Sequence, residues 1–331
     1  MKLDSVRELK QALSQSVLAR AAEVVRARST FGVASQALST VSATPRSMAL
    51  GIAPRGKEFL LAVRLQHRAM ENSPEVESVL KQAKREVDVR YVGRVLKLAK
   101  PWHQKRNRPL RIGGSVGHFN ITAGTLGCFV KAGQNGSLFI LSNNHVLADE
   151  NRANPGDAIL QPGKFDGGGN PADAIGKLTK FVTMKRIGTN FVDCAIASVT
   201  GGIEFDVREL RGLGNLAGLG PEFLDAGAKV AKVGRTTGLT RGRVTAFELD
   251  NVVVGYDIGN LRFDNQIEIE GAEDGPFSQG GDSGSLIVDG ALKAVALLFS
   301  GGDQGGTNGQ GLTYASPIGA VLTALKVDLA L

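Results

Sequence analysis

The spacing of apolar positions changes near residue 112, and that change divides the chain. Before it, Leu3, Val6, Leu9, Leu13, Val17 and Ala21 recur at helical spacing without glycine or proline, so residues 3–28 are expected as an amphipathic helix. Residues 29–46, rich in Ser, Thr and Ala, read as a connector. Apolar runs at Met48–Ile52 and Phe59–Leu65 flank a Pro54–Gly56 turn and predict two strands. Ser73-Pro74-Glu75 places a capping serine before a proline at the first helical position, which predicts a helix to about Arg85. Val87–Val92 then returns as a strand. The expected organisation is a small basic α+β region with a leading helix over 1–105 and a basic, proline-bounded linker over 106–111.

From Ile112 onward the runs are short and many alternate, as at Gly242–Phe247, Val252–Val254 and Gln266–Glu270. With 43 glycines and only 5% aromatic residues, the pattern predicts a mostly β domain over 112–331, a barrel or a sandwich. A hydrophobic content of 42% is enough for a proper core. The glycine-rich stretch Gly301–Gly309 reads as a flexible rim.

Charge follows the same division. Residues 1–111 hold 22 Lys/Arg against 9 Asp/Glu, whereas residues 112–331 hold 17 against 23. The basic region is expected to be a solvated surface, with a regulatory partner or nucleic acid as the other readings. Met1–Glu8 is charged and carries no apolar core of a signal peptide, and no run is long enough to span a bilayer, so a cytoplasmic location is expected. Cys128 and Cys194 do not make a disulfide framework, and four histidines without ligand-like spacing give no reason to expect a metal or another cofactor.

The chemistry centres on Gly280-Gly281-Asp282-Ser283-Gly284-Ser285, which runs into the apolar Leu286-Ile287-Val288. Such a glycine turn exposes one serine rigidly at a strand mouth and lets the Gly281 and Ser283 amides point at a developing oxyanion. A base is then needed. His67 and His103 lie among Arg and Lys and read as surface, and His118 reads as structural. His145 follows the apolar strand Leu138–Leu141 and the polar turn Ser142-Asn143-Asn144, a suitable place for an imidazole that takes a proton. Asp193 sits inside the apolar run Phe191–Ala197, where a carboxylate is costly unless a partner such as an imidazole N–H meets it. Asp166 and Asp173, in a glycine-rich loop, are weaker rivals.

The order His145, Asp193, Ser283, together with the Asn143-Asn144-His145-Val146-Leu147, Val192–Ala197 and Gly281–Leu286 blocks, resembles the chymotrypsin-like (trypsin-like) serine peptidases. Thr122–Cys128, Ala158–Gly163 and Val233–Thr240 are similar to an intracellular bacterial group of these enzymes and to the plant narrow-leaf proteins. The resemblance covers residues from about 112 to 325. It implies two six-stranded antiparallel β-barrels and a serine endopeptidase acting on proteins or peptides. Ser283 would be the nucleophile, His145 the base and Asp193 the orienting acid, with Gly281 and Ser283 supplying the oxyanion hole. Phe277, Gln279, Ser300 and Gly301 would form the substrate pocket.

Three departures stand out. Ser285 replaces a glycine, Phe299-Ser300 stands where many relatives carry Ser-Trp, and Phe277 lies where trypsins carry an acid. In secreted relatives the aspartate before the serine pairs with a freed amino terminus. Here that aspartate is Asp282, and Arg111-Ile112 resembles an activation site, although an uncut enzyme whose first barrel strand begins at Ile112 is the preferred expectation. The rival readings are a catalytically silent binding module of the same fold, and a protease regulated by a nucleic-acid- or partner-sensing amino-terminal region.

Overall fold

A computed structural model describes residues 1–18, 48–93, 95, 99–132, 136–225, 227–272 and 275–331. Residues 19–28 of the expected first helix and the expected connector 29–46 lie outside the described residues. The chain divides into Met1–Ala99 and Lys100–Leu331.

In the first unit, Leu3–Leu13 is α-helical and continues as a wider π turn over Ser14–Leu18. Met48–Arg55 and Glu58–Leu65 form an antiparallel hairpin, and Glu58–Leu65 also pairs in parallel with Val87–Tyr91. A parallel pair needs a crossover, and the helix Pro74–Gln82 supplies it. Its first turn is capped by the Ser73 hydroxyl, which accepts from Val76 N at 3.3 Å. Val6, Leu13, Leu61, Val63, Val76 and Val79 from these elements share one apolar core.

The second unit carries two curled sheets. One joins, in spatial order, Asp328–Leu329, Cys128–Ala132, Ser137–Ser142, Ala195–Ser198, Ala174–Phe181, Ala158–Leu160, Ser115–His118 and Gly124–Thr125. The other runs Gly218–Leu219, Lys293–Gly301, Leu286–Asp289, Lys229–Gly234, Gly238–Leu249, Gln266–Gly271 and Leu312–Pro317. An additional pairing of Lys293–Gly301 with Leu312–Pro317 closes the latter into a six-stranded barrel. The former remains a half-barrel. Closure removes the exposed edges that a sheet would otherwise present. Val116, Phe129, Ile140, Ile175 and Ile196 pack inside the half-barrel, and Val230, Val244, Ile269 and Ile287 inside the closed barrel. Among the described residues, no helix is long and apolar enough to cross a membrane.

The stretch expected as a linker is packed onto the second unit. Asn107 N and Arg108 Nη1 both donate to Gln161 Oε1, at 2.9 and 2.6 Å. Leu110–Arg111 pairs in parallel with Phe205–Asp206, and Leu110 is fully buried. His103, expected at the surface because of its charged neighbours, is only 8% exposed and its Nδ1 lies 2.6 Å from Arg235 O. Composition had suggested a solvated segment, but its polar groups are taken up by partners distant in sequence.

Candidate active site

Ser283 lies in a turn that only glycine can build. Gly281 and Gly284 on either side have φ of +96° and +91°, a region that side chains disfavour. A Cβ on Gly284 would lie 2.1 Å from Ser142 Oγ and 2.4 Å from Thr125 O, and one on Gly281 2.6 Å from Thr236 Oγ1. The turn is tied to both barrels: Thr125 N donates to Ser283 O at 2.8 Å, and Gly284 N to Leu298 O at 2.8 Å. Among the described residues, the Gly281 and Ser283 amides donate to no other group of the protein.

Beneath the turn, the fully buried Asp282 carboxylate accepts from the Thr236, Thr237 and Gln279 amides at 2.8, 3.1 and 3.0 Å, and from the Thr237 hydroxyl at 2.7 Å. Its cationic partner is Lys232 Nζ at 3.3 Å, also fully buried. Ile112, by contrast, is buried at 1% exposure, and the preceding Arg111 pairs with Glu209. Asp282 therefore has a cationic partner within the folded chain.

His145 is the second residue of the short helix Asn144–Leu147 that follows the strand Ser137–Ser142. Its Nδ1 lies 2.5 Å from Asp193 Oδ2. Asp193 Oδ1 accepts the amides of Asn144 at 2.6 Å and His145 at 3.3 Å, so the carboxylate caps the helix that carries its partner. Burial pulls the His145 imidazole toward neutrality, but the charge and hydrogen bond of Asp193 and the charge of Glu150 outweigh it, and its pKa is raised. The Ser283 hydroxyl donates to Phe299 O at 3.4 Å. Ser283 and His145 line one cleft of about 550 Å³.

Gln279, Ser300 and Gly301 of the expected pocket line this cleft as well. Phe277 does not. It is 1% exposed, packs in the second-barrel core, and has Lys232 Nζ 5.8 Å from its ring centroid. The adjacent Ser278 faces the cleft instead, its Oγ 2.7 Å from Thr313 Oγ1. Gly301, Gly302, Asp303 and Gln310 form the rim, and Glu270 ties this loop down through the Thr307 hydroxyl at 2.5 Å and the Thr307 and Asn308 amides.

The rival acids are engaged elsewhere. Asp166 forms a buried two-pronged pair with Arg235 at 2.7 and 2.8 Å, and Asp173 meets Arg106 at 3.3 Å. Glu273 and Asp274, the acids that shortly precede Phe277 in the chain, lie outside the described residues. No group of three or more His, Cys, Asp or Glu residues among the described residues is arranged to hold a metal.

Two residues at the site went unread in the sequence. Lys232 had a usable signal, since a lysine inside the apolar strand Lys229–Gly234 demands a partner as much as Asp193 does. Tyr256, whose hydroxyl donates to Asp193 Oδ2 at 2.9 Å, had none.

Two largely antiparallel sheets curl beside one another, and the cleft takes His145 from the first and Ser283 from the second. This arrangement is similar to the fold of the trypsin-like serine proteases.

No protein-family model matches the chain. It is 28% identical over 247 residues to Protein NARROW LEAF 1 of Oryza sativa subsp. japonica, spanning 63% of this chain and 40% of that relative's length. Among solved structures, a glutamic acid-specific serine protease is similar at 22% identity and a TM-score of 0.48, covering 67% of this chain and 100% of its own. Cellulomonas bogoriensis chymotrypsin is similar at 19% identity and a TM-score of 0.46, covering 67% and 98%.

Proposed function

We propose that the protein is a serine endopeptidase that hydrolyses peptide bonds through His145, Asp193 and Ser283. The observation that carries this reading is the 2.5 Å contact between His145 Nδ1 and Asp193 Oδ2, in a cleft that also holds Ser283. A hydrogen bond at Nδ1 leaves Nε2 unprotonated and able to accept a proton from the serine hydroxyl. In the productive complex the hydroxyl would leave Phe299 O for the imidazole, a contact that commonly tightens when substrate binds.

Ser283 Oγ then attacks the scissile carbonyl and its proton passes to His145. The Gly281 and Ser283 amides hold the oxyanion. The imidazolium gives the proton to the leaving amine, and a water activated by the same imidazole releases the acyl group. A protein or peptide is the substrate class. We extend the reading to the cytoplasm because the thiols of Cys128 and Cys194 are both buried and unbridged. The basic amino-terminal region would be a site for a regulatory partner.

The test is labelling by a fluorophosphonate probe and cleavage of an unfolded protein such as casein. Wild type should do both and Ser283→Ala neither. A wild type that binds the unfolded protein but neither labels nor cuts would favour the silent binding module, a reading to which the Ser283 hydroxyl resting on Phe299 O lends some support.

A further inference from the structure

We propose that Tyr256 is a positioning residue of the catalytic group, its hydroxyl fixing the Asp193 carboxylate and, through it, the His145 imidazole. The inference rests on the protease reading above and extends it to a residue of the opposite barrel.

Tyr256 ends the strand Val252–Tyr256, which forms a hairpin with Gly259–Phe263. This hairpin springs from the second barrel and reaches the supports of both His145 and Asp193. Ile258 N donates to Glu150 Oε2 at 3.1 Å, and Arg152 Nη2 to Asp257 Oδ2 at 3.2 Å, tying the turn to the loop after the His145 helix. Thr189–Asn190, just before Asp193, pairs in parallel with Arg262–Phe263, and Asn190 Nδ2 donates to Arg262 O at 3.1 Å. The Phe263 ring, fully buried, lies 4.8 Å from Phe299 and 6.0 Å from Tyr256 between ring centroids. The phenol is thus set by the same two segments that carry the residues it serves.

The hydrogen bonds at Asp193 show what the phenol contributes. Oδ1 accepts two amides, and Oδ2 accepts His145 Nδ1 and Tyr256 OH. Four donors match the four lone-pair sites of a carboxylate, which is fully buried and has no solvent to replace a lost one. Burial, followed by the charge of Asp193, pushes the Tyr256 pKa well up, so the phenol keeps its proton and donates.

A second donor on Oδ2 also draws negative charge from the imidazole beside it. The charged and titratable groups facing His145 are Asp193, Glu150 from the following loop and Tyr256 from the hairpin. Arg152 stands behind Glu150 at 4.0 Å, and Cys194 adjoins Asp193. Removing the phenol hydroxyl leaves Asp193 to hold the imidazolium more strongly, so His145 should lose its proton only at higher pH.

The simpler alternative is that Tyr256 is only a wall of the cleft, which it lines with Val254 and Gly255. The two roles differ in what Tyr256→Phe changes, since the ring stays. The full-length chain would be titrated with a fluorophosphonate from pH 5 to 9, with labelling rate, apparent probe affinity and melting temperature recorded. A positioning role predicts a labelling rate about 10- to 100-fold lower, the loss of a hydrogen bond to a charged group, with affinity within about twofold. The acid limb should move to higher pH.

Incorporating 3-fluorotyrosine at position 256, a stronger donor, should move that limb to lower pH. The His145 Nδ1 proton, read by NMR without any substrate, should shift in both variants. Wild-type rate and acid limb in Tyr256→Phe, or a loss confined to affinity, would overturn the proposal while leaving the protease reading intact. Failure of the wild type to label would overturn the protease reading itself.

Discussion

Lys232 Nζ sits 3.3 Å from Asp282 Oδ2, and neither side chain reaches solvent. The pair holds the aspartate next to the candidate nucleophile and so holds the turn that presents the Gly281 and Ser283 amides. A full-length, uncut chain should therefore label with a fluorophosphonate, and Arg111→Gln should label equally well. Lys232→Met should lose labelling and about 3–5 kcal/mol of stability, because it strands a buried carboxylate. Burial lowers the Lys232 pKa against the pull of Asp282, so the ammonium loses its proton sooner than an ordinary lysine as pH rises. Lys232→Arg should accordingly extend labelling to more alkaline pH. Labelling that appears only after cleavage at Arg111 would contradict this account.

The pH dependence at the acid end follows from His145. Its imidazole must be neutral to act as base, and its pKa is raised above the ordinary 6.5 by Asp193 and then Glu150, against burial. Activity should thus fall as pH drops through that raised value rather than near the usual one. Glu150→Gln removes one source of the shift, and its acid limb should move to lower pH with little loss of the plateau rate. Asp193→Asn should leave a folded protein with its rate reduced about 10⁴-fold, since the amide favours the wrong tautomer. A Glu150→Gln profile that overlays the wild type would show that its charge does not reach the imidazole.

Local signals in the sequence carried the fold and much of the site. The glycines around Ser283 and the acid inside Phe191–Ala197 each break a local rule for which chemistry gives a reason. Of the alternating runs after Ile112, Gly242–Phe247 and Gln266–Glu270 fall on barrel strands, whereas Val252–Val254 lies in the hairpin that lines the cleft. What stayed hidden depends on register and on distant pairing. Phe277 was reached by counting back from Ser283, yet the cleft receives Ser278. A shift of one residue in an extended segment exchanges the inward and outward side chains. His103 and Tyr256 find partners 132 and 63 residues away, which no spacing within their own segments reports.

That one-residue shift makes a prediction about preference. Among the described residues, the cleft presents the hydroxyls of Ser278 and Ser300, with Asp303 and Glu150 as its acids on the rim, and the buried position 277 holds a phenyl ring rather than an acid. Uncharged side chains should be preferred over Arg and Lys, as read by cleavage of a peptide library. Ser278→Asp should turn the preference toward Arg and Lys. Phe277→Ala should instead cost about 3–5 kcal/mol of stability, as for any large core ring, and leave the preference of the folded fraction unchanged. If Phe277→Ala changes preference at unaltered stability, its ring belongs to the pocket after all.

The rim offers a separate acid-sensitive element. Glu270 is held at a pKa of about 2, down from 4.5, by the Thr307 hydroxyl, then Arg243, then the Asn308 and Thr307 amides, against burial. A carboxylate depressed in the folded state contributes stability above its unfolded value, and loses it as pH falls toward the folded one. Melting temperatures of wild type and Glu270→Gln should therefore differ most above pH 4.5 and converge as pH approaches 2. The Thr307 anchor also holds Gly302, Asp303 and Gln310 beside the cleft, so the variant should raise KM for peptides at neutral pH while kcat changes less. A melting difference that stays constant between pH 5 and 2 would mean that Glu270 stabilises the loop by packing rather than by charge.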